Sequence, residues 1–314
     1  MSAGPIASAP GKLHLTGEYA VLHGATAVLI AVDRRVVAQA TEADRGLALS
    51  PFLVAVADEL ARIGRPHAAA AARRIAVDSS ALYDRGTKLG LGSSAATTVA
   101  AAACALAHDG DADRDTIHAI ARAAHAAAQG ARGARGSGAD IATSTYGGAI
   151  AFTGGAVRPL HLPDGLALIP FWTGVAADTA PLVASIEAAR AAHDGVDRAL
   201  ASIAAASDAM VAACDAGDTA AAIAALDAGA DAVAALGTAA GAALIPDPVL
   251  RARAAMARLG GAAKTCGAAG GDVAIAVIAR ARVTEARAAL VEVECPPLPL
   301  ALDPRGVDIT PSAE

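Results

Sequence analysis

The sequence predicts an α+β protein of two domains, and three observations support this prediction. Short segments rich in aliphatic and β-branched residues alternate with turn signals near the start, which is the pattern of strands. Long alanine-rich stretches follow in both halves, and alanine is the strongest helix former. A break containing Gly154, Gly155 and Pro159 separates the halves, which gives predicted domains at 1–157 and 158–314.

The predicted elements of the first domain follow from residue periodicity. Residues 25–40 predict two strands, one on each side of Asp33 and Arg34. Apolar side chains recur every three or four residues from Phe52 to Ile63, which indicates a helix. The other predicted elements are helices over 93–107 and 116–129 and strands over 74–78 and 148–152.

The second domain is predicted to contain an antiparallel sheet with helices around it. Its alanine-rich helices pack closely, because alanine presents little bulk between helices. The predicted strands are 166–172 and 273–278. The predicted helices begin with 179–193 and continue through the alanine-rich region to about residue 244. One more helix is predicted after Pro248, and another over 284–291.

Composition limits the classes of partner. The chain has 314 residues, of which 55% are hydrophobic and 18% charged, so it can bury a full core. A net charge of -6 disfavours nucleic acid or an anionic membrane as partner, since both select basic surfaces. The four cysteines lack metal-ligand spacing, and the apolar runs are broken before eighteen positions accumulate. We expect a cytoplasmic monomer or homodimer that binds a small molecule.

The lysines are few and are placed near glycines. The chain has three lysines, Lys12, Lys88 and Lys264, against 22 arginines. Lysine is a compact ammonium on a flexible stem, which suits a single phosphate oxygen. Because all three lie in or beside glycine-rich stretches, we interpret them as candidate ligands of phosphate.

A glycine-rich loop runs from Lys88 to Ser94 into the predicted helix at 93–107. Glycines allow close approach of the backbone, and a helix N-terminus presents free N–H groups, so phosphate is the expected ligand. Ser94 adds a hydroxyl suited to Mg²⁺. The glycine-rich loop also matches the fingerprint of dinucleotide-binding proteins. In those proteins a buried strand comes directly before the fingerprint, whereas here a polar segment does, which argues against dinucleotide binding.

Two further segments combine glycines with charged residues. In the first, residues 10–19, Lys12, His14 and Glu18 accompany a strand, a pattern that an ordinary strand after a turn would share. In the second, residues 260–272, small residues precede the buried strand at 273–278. The abrupt return to apolar residues favours close backbone packing over a flexible linker.

The three segments together resemble the signature of the GHMP kinases, named for galactose, homoserine, mevalonate and phosphomevalonate. The matching strings are P-G-K-x-x-x-x-G-E-Y at 10–19, G-L-G-S-S-A-A at 90–96 and K-T-C-G-A-A-G-G-D at 264–272. The resemblance implies an ATP-dependent small-molecule kinase that uses Mg²⁺. It also implies an α+β fold with a ribosomal S5 domain 2-like N-terminal domain and a ferredoxin-like C-terminal α/β sandwich.

Within this superfamily, residues 124–130, 136–142 and 146–148 are similar to the phosphomevalonate kinase pattern, which implies 5-phosphomevalonate as acceptor. Gln129 stands where mevalonate kinases usually have a metal-binding glutamate. The sequence departs from the pattern at Asp178, where serine is usual, at Ala269, where glycine is usual, and in extra residues that include Arg132 and Arg135.

The resemblance also implies roles for individual residues. Lys12 and Asp140 would act at the acceptor, Lys12 offsetting charge and Asp140 orienting or deprotonating the acceptor. The residues implied for the nucleotide are Lys88, Gly90, Leu91, Gly92, Ser93, Ser94, Ala95 and Ala96, with Ser94 also on Mg²⁺. Those implied for the acceptor are Tyr19, Ser137, Gly138, Lys264 and Gly270. His125 is predicted to be a packed, hydrogen-bonded histidine rather than a catalytic one, and Trp172 is predicted to lie in the core.

Three alternatives stay open at this stage. Mevalonate kinase activity is the nearest, and Asp140 would then have to act as the base for an alcohol. Mevalonate diphosphate decarboxylase shares the implied fold and would release CO₂. A catalytically silent GHMP-fold binding protein would show no ATP turnover.

Overall fold

A computed structural model describes the protein over residues 4–41, 49–84, 86–110, 112–133, 135–177 and 179–310. The first domain is built on a six-stranded antiparallel sheet. The strands of this domain are β1 (Ile6–Thr16), β2 (Ala27–Ala40), β3 (Ile75–Asp78), β4 (Tyr83–Asp84), β5 (Thr87–Lys88), β6 (Ala149–Thr153) and β7 (Ala156–Leu160). A last strand, β11 (Asp308–Thr310), completes the order β11-β1-β2-β6-β7, with β3 beside β2, while β4 and β5 form a separate hairpin.

Within the described residues, the first domain has five helices on or beside this sheet. They are α1 (Pro51–Arg62), α2 (Pro66–Ala72), α3 (Ser93–His108), α4 (Arg114–Gly130) and α5 (Ala139–Tyr146). Helices α3 and α5 contact β1 and β2 directly, and α1 and α4 pack outside them. Nearly every side chain of α3 from Ala95 to Leu106 is buried, because alanines allow neighbours to approach it on all sides.

The second domain has a three-stranded antiparallel sheet in the order β8-β10-β9. Its strands are β8 (Leu166–Trp172), β9 (Ala262–Thr265) and β10 (Val273–Ala279). Its helices are α6 (Thr179–Arg190), α7 (Asp194–Ala216), α8 (Thr219–Ala240), α9 (Asp247–Ala257) and α10 (Val283–Glu292). Helices α8 and α9 pack on β9, and α7 forms a hairpin with α8.

Helices α7 and α8 are long and apolar enough to cross a membrane by length and composition alone. They pack against each other, and 44% and 50% of their apolar windows are buried inside the fold. Core helices of folded domains have the same length and composition, so these two helices do not assign the chain to a membrane.

The prediction of a two-domain α+β fold is confirmed. The predicted boundary after residue 157 is wrong, because it cuts β7, which pairs with β6 in the first sheet. The crossing between domains lies instead between Leu160 and Leu166. In addition, the C-terminal β11 returns to pair with β1, a long-range contact that no local pattern indicates.

Several predicted elements also need correction. Residues 27–40 form one strand rather than two, because a register shift opposite Pro10 and Gly11 lets pairing with β1 continue past Asp33. The glycine cluster at 260–271 contains β9, whose four residues are buried between α8, α9 and β10. Helices α2 and α5 and strand β7 are absent from the predicted elements, since each is short and contains or adjoins proline or glycine.

Candidate active site

A cavity of about 170 Å³ lies where the two domains meet. The first domain lines it with residues of β1, of the turn after β1, of the glycine-rich loop and of the start of α5. The second domain contributes the start of α6 and the segment between β9 and β10. The lining residues with a bearing on the chemistry are Lys12, His14, Tyr19, Gly90, Ser137, Gly138, Asp140, Thr179, Cys266 and Asp272.

Lys12 and Asp140 form an ion pair on the cavity wall. The Lys12 ammonium lies 3.3 Å from the Asp140 Oδ2 atom, with side chains 9% and 39% exposed. Lys12 is on β1, and Asp140 is in the first turn of α5, after the left-handed Gly138. The structure therefore brings together the two residues that the resemblance implies at the acceptor.

The glycine-rich loop is fixed between the two domains through its own carbonyls. The Lys12 N–H donates to the Leu91 carbonyl at 2.9 Å, and the Val273 N–H donates to the Leu89 carbonyl at 3.3 Å. Gly90 lies between these two bonds at the cavity edge, with φ of 74°. The loop thus joins β1 to β10 and presents its backbone to the cavity.

The first turn of α3 has free N–H groups and a bound serine hydroxyl. No side chain caps this helix, and the first N–H groups of a helix have no intrahelical acceptor. The Ser94 hydroxyl lies 3.2 Å from His125 Nε2, and the His125 ring stacks on Phe52. Burial lowers the pKa of His125. His125 is therefore packed and hydrogen-bonded, as predicted, and its neutral imidazole orients the Ser94 hydroxyl.

Some predicted nucleotide ligands are constrained by this geometry. The side chains of Leu91, Ala95 and Ala96 are buried in the core, so only their backbone could meet a nucleotide. The Ala96 N–H is already bonded to the Gly92 carbonyl at 3.1 Å, which argues against its assignment as a ligand. Lys88 is exposed on β5 and does not line the cavity.

We predict that Gly92→Ala impairs turnover through Lys12. Gly92 has φ of 75°, and a Cβ there would lie 2.8 Å from the Lys12 Cε atom. Gly64 has a similar φ of 79°, and a Cβ there would meet no atom within 4 Å, so Gly64→Ala is the matched control. Both changes carry the strain of a left-handed residue, roughly 1–2 kcal/mol. Only Gly92→Ala should lower kcat, by about 10-fold or more, in steady-state assays; equal kcat in both variants would contradict the prediction.

Lys264 does not line the cavity, and its assignment to substrate binding is not supported. It is buried on β9, where its ammonium pairs with the Glu18 carboxylate and donates to the Thr265 carbonyl at 2.7 Å. Both side chains of the pair are only 1% exposed. Gly270 is likewise outside the cavity lining, with its N–H bonded to the Leu244 carbonyl at 2.7 Å.

The other predicted acceptor residues do line the cavity. The Tyr19 hydroxyl donates to the Ala268 carbonyl at 2.5 Å, which fixes the ring across the domain boundary. The Ser137 hydroxyl accepts the Ala139 N–H at 3.2 Å, and Gly138 takes φ of 89° at the start of α5. Their contact with an acceptor stays a prediction.

The departures from the family pattern fall around the same cavity. Asp178 lies outside the described residues, but Ala177 and Thr179 on either side of it line the cavity. Arg135, one of the extra residues, is exposed at the cavity edge. Ala269 has φ of 62°, a conformation natural to glycine, which explains why glycine is usual there.

Sequence reasoning assigns no role in the site to Asp272, Cys266 or His14, which also line the cavity. Asp272 accepts the Ala177 N–H at 3.2 Å, lies directly opposite Gly90, and has its pKa raised by burial. Cys266 is buried, and burial raises the pKa of its thiol to about 12, so the thiol stays protonated. His14 lies two residues from Lys12 on β1. Alternation along that strand is the available signal, since residues i and i+2 share a face.

Comparison with known proteins places these features in a family context. Residues 52–148 match the family described as GHMP kinases N terminal domain. The chain is 29% identical over 242 residues to phosphomevalonate kinase from Streptomyces sp. (strain CL190), covering 57% of this chain and 64% of that protein. It is 31% identical over 204 residues to mevalonate kinase from Archaeoglobus fulgidus, covering 61% and 66%. The chain therefore spans just under two thirds of the length of these curated relatives.

Solved structures share the whole fold. The Lin0012 protein from Listeria innocua superposes with a TM-score of 0.83 at 23% identity, covering 98% of this chain and 99% of that one. Streptococcus pneumoniae phosphomevalonate kinase, in complex with phosphomevalonate and AMPPNP, gives a TM-score of 0.78 at 18% identity, covering 95% and 99%. The sequence match and the fold together confirm the predicted resemblance to the GHMP kinase superfamily.

Proposed function

We propose that this chain, which has the motifs and fold of the GHMP kinase superfamily, transfers the γ-phosphoryl group of ATP to 5-phosphomevalonate, giving mevalonate 5-diphosphate. The observation that carries the proposal is the Lys12–Asp140 pair, 3.3 Å apart on a cavity wall that the glycine-rich loop also lines. Similarity to curated phosphomevalonate kinase and mevalonate kinase supports the same substrate class.

Catalysis of phosphoryl transfer depends mainly on aligning the acceptor with the γ-phosphate and on neutralising the phosphate charge. The bond from the γ-phosphorus to the ADP oxygen breaks as a bond to an acceptor oxygen forms, and ADP leaves. The N–H groups at the start of α3 face the phosphates of ATP, and the Lys12 ammonium offsets the charge that gathers on the transferred group. The second pKa of a phosphomonoester is about 6, so the acceptor phosphate is largely ionised at neutral pH. Asp140 then holds Lys12 and the acceptor in place rather than removing a proton.

The residues of this site suit a Mg²⁺ ion that binds together with the phosphates of ATP. No group of three or more His, Cys, Asp or Glu side chains within the described residues could hold a metal ion by itself. Mg²⁺ usually keeps several waters and binds through one or two protein ligands plus substrate phosphates. The Ser94 hydroxyl, oriented by His125, and the Asp140 carboxylate are the ligands this chain would offer. When bound, the ion would neutralise phosphate charge.

The test is ADP release with mevalonate, 5-phosphomevalonate and mevalonate diphosphate, measured for the natural sequence and for Asp140→Asn. We expect preference for 5-phosphomevalonate, and a smaller loss of kcat in Asp140→Asn with that acceptor than with mevalonate, whose alcohol needs a base. Preference for mevalonate would replace the proposed substrate. Release of CO₂ would identify a decarboxylase, and no turnover of ATP would reject the kinase.

A further inference from the structure

His14 lies in the candidate active site, but the proposed phosphoryl transfer gives it no role. It lies on β1, two residues after Lys12, and it is one of the residues that line the same cavity. It is 6% exposed, and its Nε2 atom is buried without a hydrogen-bond partner among the described residues. A buried polar atom without a partner destabilises the protein, so a ligand that forms a hydrogen bond with it would remove that cost.

The ring has a defined hydrogen-bonding character. Burial, followed by the charge of Lys12, lowers the pKa of His14 to about 3, so the ring is neutral at physiological pH. A hydrogen bond with the Thr16 backbone acts in the opposite direction on the pKa, as expected when the ring donates its proton to a carbonyl. A neutral ring that donates from Nδ1 to this carbonyl presents a lone pair at Nε2, which is the ring nitrogen without a partner among the described residues.

A lone pair selects the kind of group it faces. It repels a carboxylate or an ionised phosphate, which offer only acceptors, and it accepts a hydrogen bond from a hydroxyl. Cα atoms two residues apart on a strand are separated by about 7 Å. If the reacting end of an acceptor lies at Lys12 and Asp140, His14 is therefore close to a part of the acceptor that is several bonds away from that end.

We infer that His14 is a specificity-determining residue that accepts a hydrogen bond at Nε2 from the non-reacting hydroxyl of the acceptor. This inference rests on the proposed function, which supplies an acceptor with such a group: 5-phosphomevalonate carries a tertiary hydroxyl between its carboxylate and its phosphate. His14 thereby distinguishes hydroxy acids from acids of the same length that lack the hydroxyl.

The experiment compares two acceptors in each of three enzymes. The acceptors are 5-phosphomevalonate and 3-methyl-5-phosphooxypentanoate, which lacks only the tertiary hydroxyl. The enzymes are the natural sequence, His14→Phe, which keeps a planar ring without nitrogen, and His14→Gln, whose amide can replace the Nε2 lone pair. The measured quantity is the ratio of kcat/KM for the two acceptors in each enzyme, obtained from ADP release.

We expect the natural enzyme to prefer the hydroxylated acceptor by about 10-fold or more. The ratio should fall to about 1 in His14→Phe and be partly retained in His14→Gln. Both acceptors meet the same protein in each comparison, so a general loss of folded enzyme cancels in the ratio. His14→Leu gives the same measurement if the phenylalanine variant does not fold.

The outcomes separate this inference from the proposed function. A ratio that is the same in the natural enzyme, His14→Phe and His14→Leu overturns the role of His14, while turnover of 5-phosphomevalonate upholds the kinase. A ratio of 1 in the natural enzyme also overturns it. Absence of ATP turnover with every mevalonate-type acid rejects the proposed function, and this inference with it.

Discussion

Lys12→Met should lower kcat by about 100-fold or more, the loss found when one preorganised charge or donor is removed from a transition state. The methionine keeps an unbranched chain of similar length and removes the ammonium that lies 3.3 Å from Asp140. Asp140 is 39% exposed, so water can solvate its carboxylate once Lys12 is gone. Stability should therefore change by less than about 1 kcal/mol.

Lys88→Met is the matched control for this prediction. Lys88 is a neighbour of the glycine-rich loop in sequence, but it is exposed and does not line the cavity. We expect its kcat to stay within about threefold of the natural enzyme, because a solvated charge contributes little. Steady-state kinetics and urea unfolding of both variants give the comparison. Similar kcat in Lys12→Met and Lys88→Met would remove Lys12 from the reaction.

The three lysines show how far the sequence can predict the site. Their rarity and their glycine-rich neighbours group them as phosphate ligands, yet the structure gives them three different environments. Lys12 lines the cavity, Lys88 is exposed, and Lys264 is buried against Glu18. Local sequence indicates which residue types lie near backbone turns. It does not indicate which side chain a distant carboxylate has already neutralised, because Glu18 and Lys264 are 246 residues apart.

The secondary structure, too, was predictable where it depends on local sequence and not where it depends on distant residues. The predicted helices that became α1, α3 and α4 agree with the structure to within a few residues, because their periodicity is repeated over several turns. Strands β9 and β11 have no such local signal, since each is short and exists through pairing with a strand far away in the chain or across a turn of glycines. The sequence motifs predicted the position of the glycine-rich loop. They did not predict which residues of the two domains line the cavity, because that depends on how the domains pack.

Lys264→Met should destabilise the fold by about 3–5 kcal/mol, the usual cost of leaving one buried charge without its partner. The Glu18 carboxylate would remain 1% exposed, and its Oε2 atom already has no hydrogen-bond partner among the described residues. The pair also joins the end of β1 to β9, across the domain boundary. Urea unfolding at neutral pH measures the loss.

The double variant Glu18→Gln/Lys264→Met separates the cost of the orphaned charge from the loss of packing. It removes both charges, so it should be more stable than Lys264→Met alone, and the cycle of four proteins gives the coupling energy. Arg73→Met is the exposed control: Arg73 pairs with Asp58 at 2.6 Å, with side chains 50% and 61% exposed, and should change stability by less than about 1 kcal/mol.

The same variants decide between a structural and a substrate-binding role for Lys264. If its ammonium only neutralises Glu18, the double variant regains folded protein and keeps a KM for the acceptor near that of the natural enzyme. Glu18 lines the cavity, but its charge and that of Lys264 cancel in the natural protein and are removed together in the double variant. If Lys264 instead binds the acceptor, Lys264→Met unfolds at the same urea concentration as the natural protein while its KM rises. The second result would return Lys264 to the site and show that the buried pair opens when the acceptor binds.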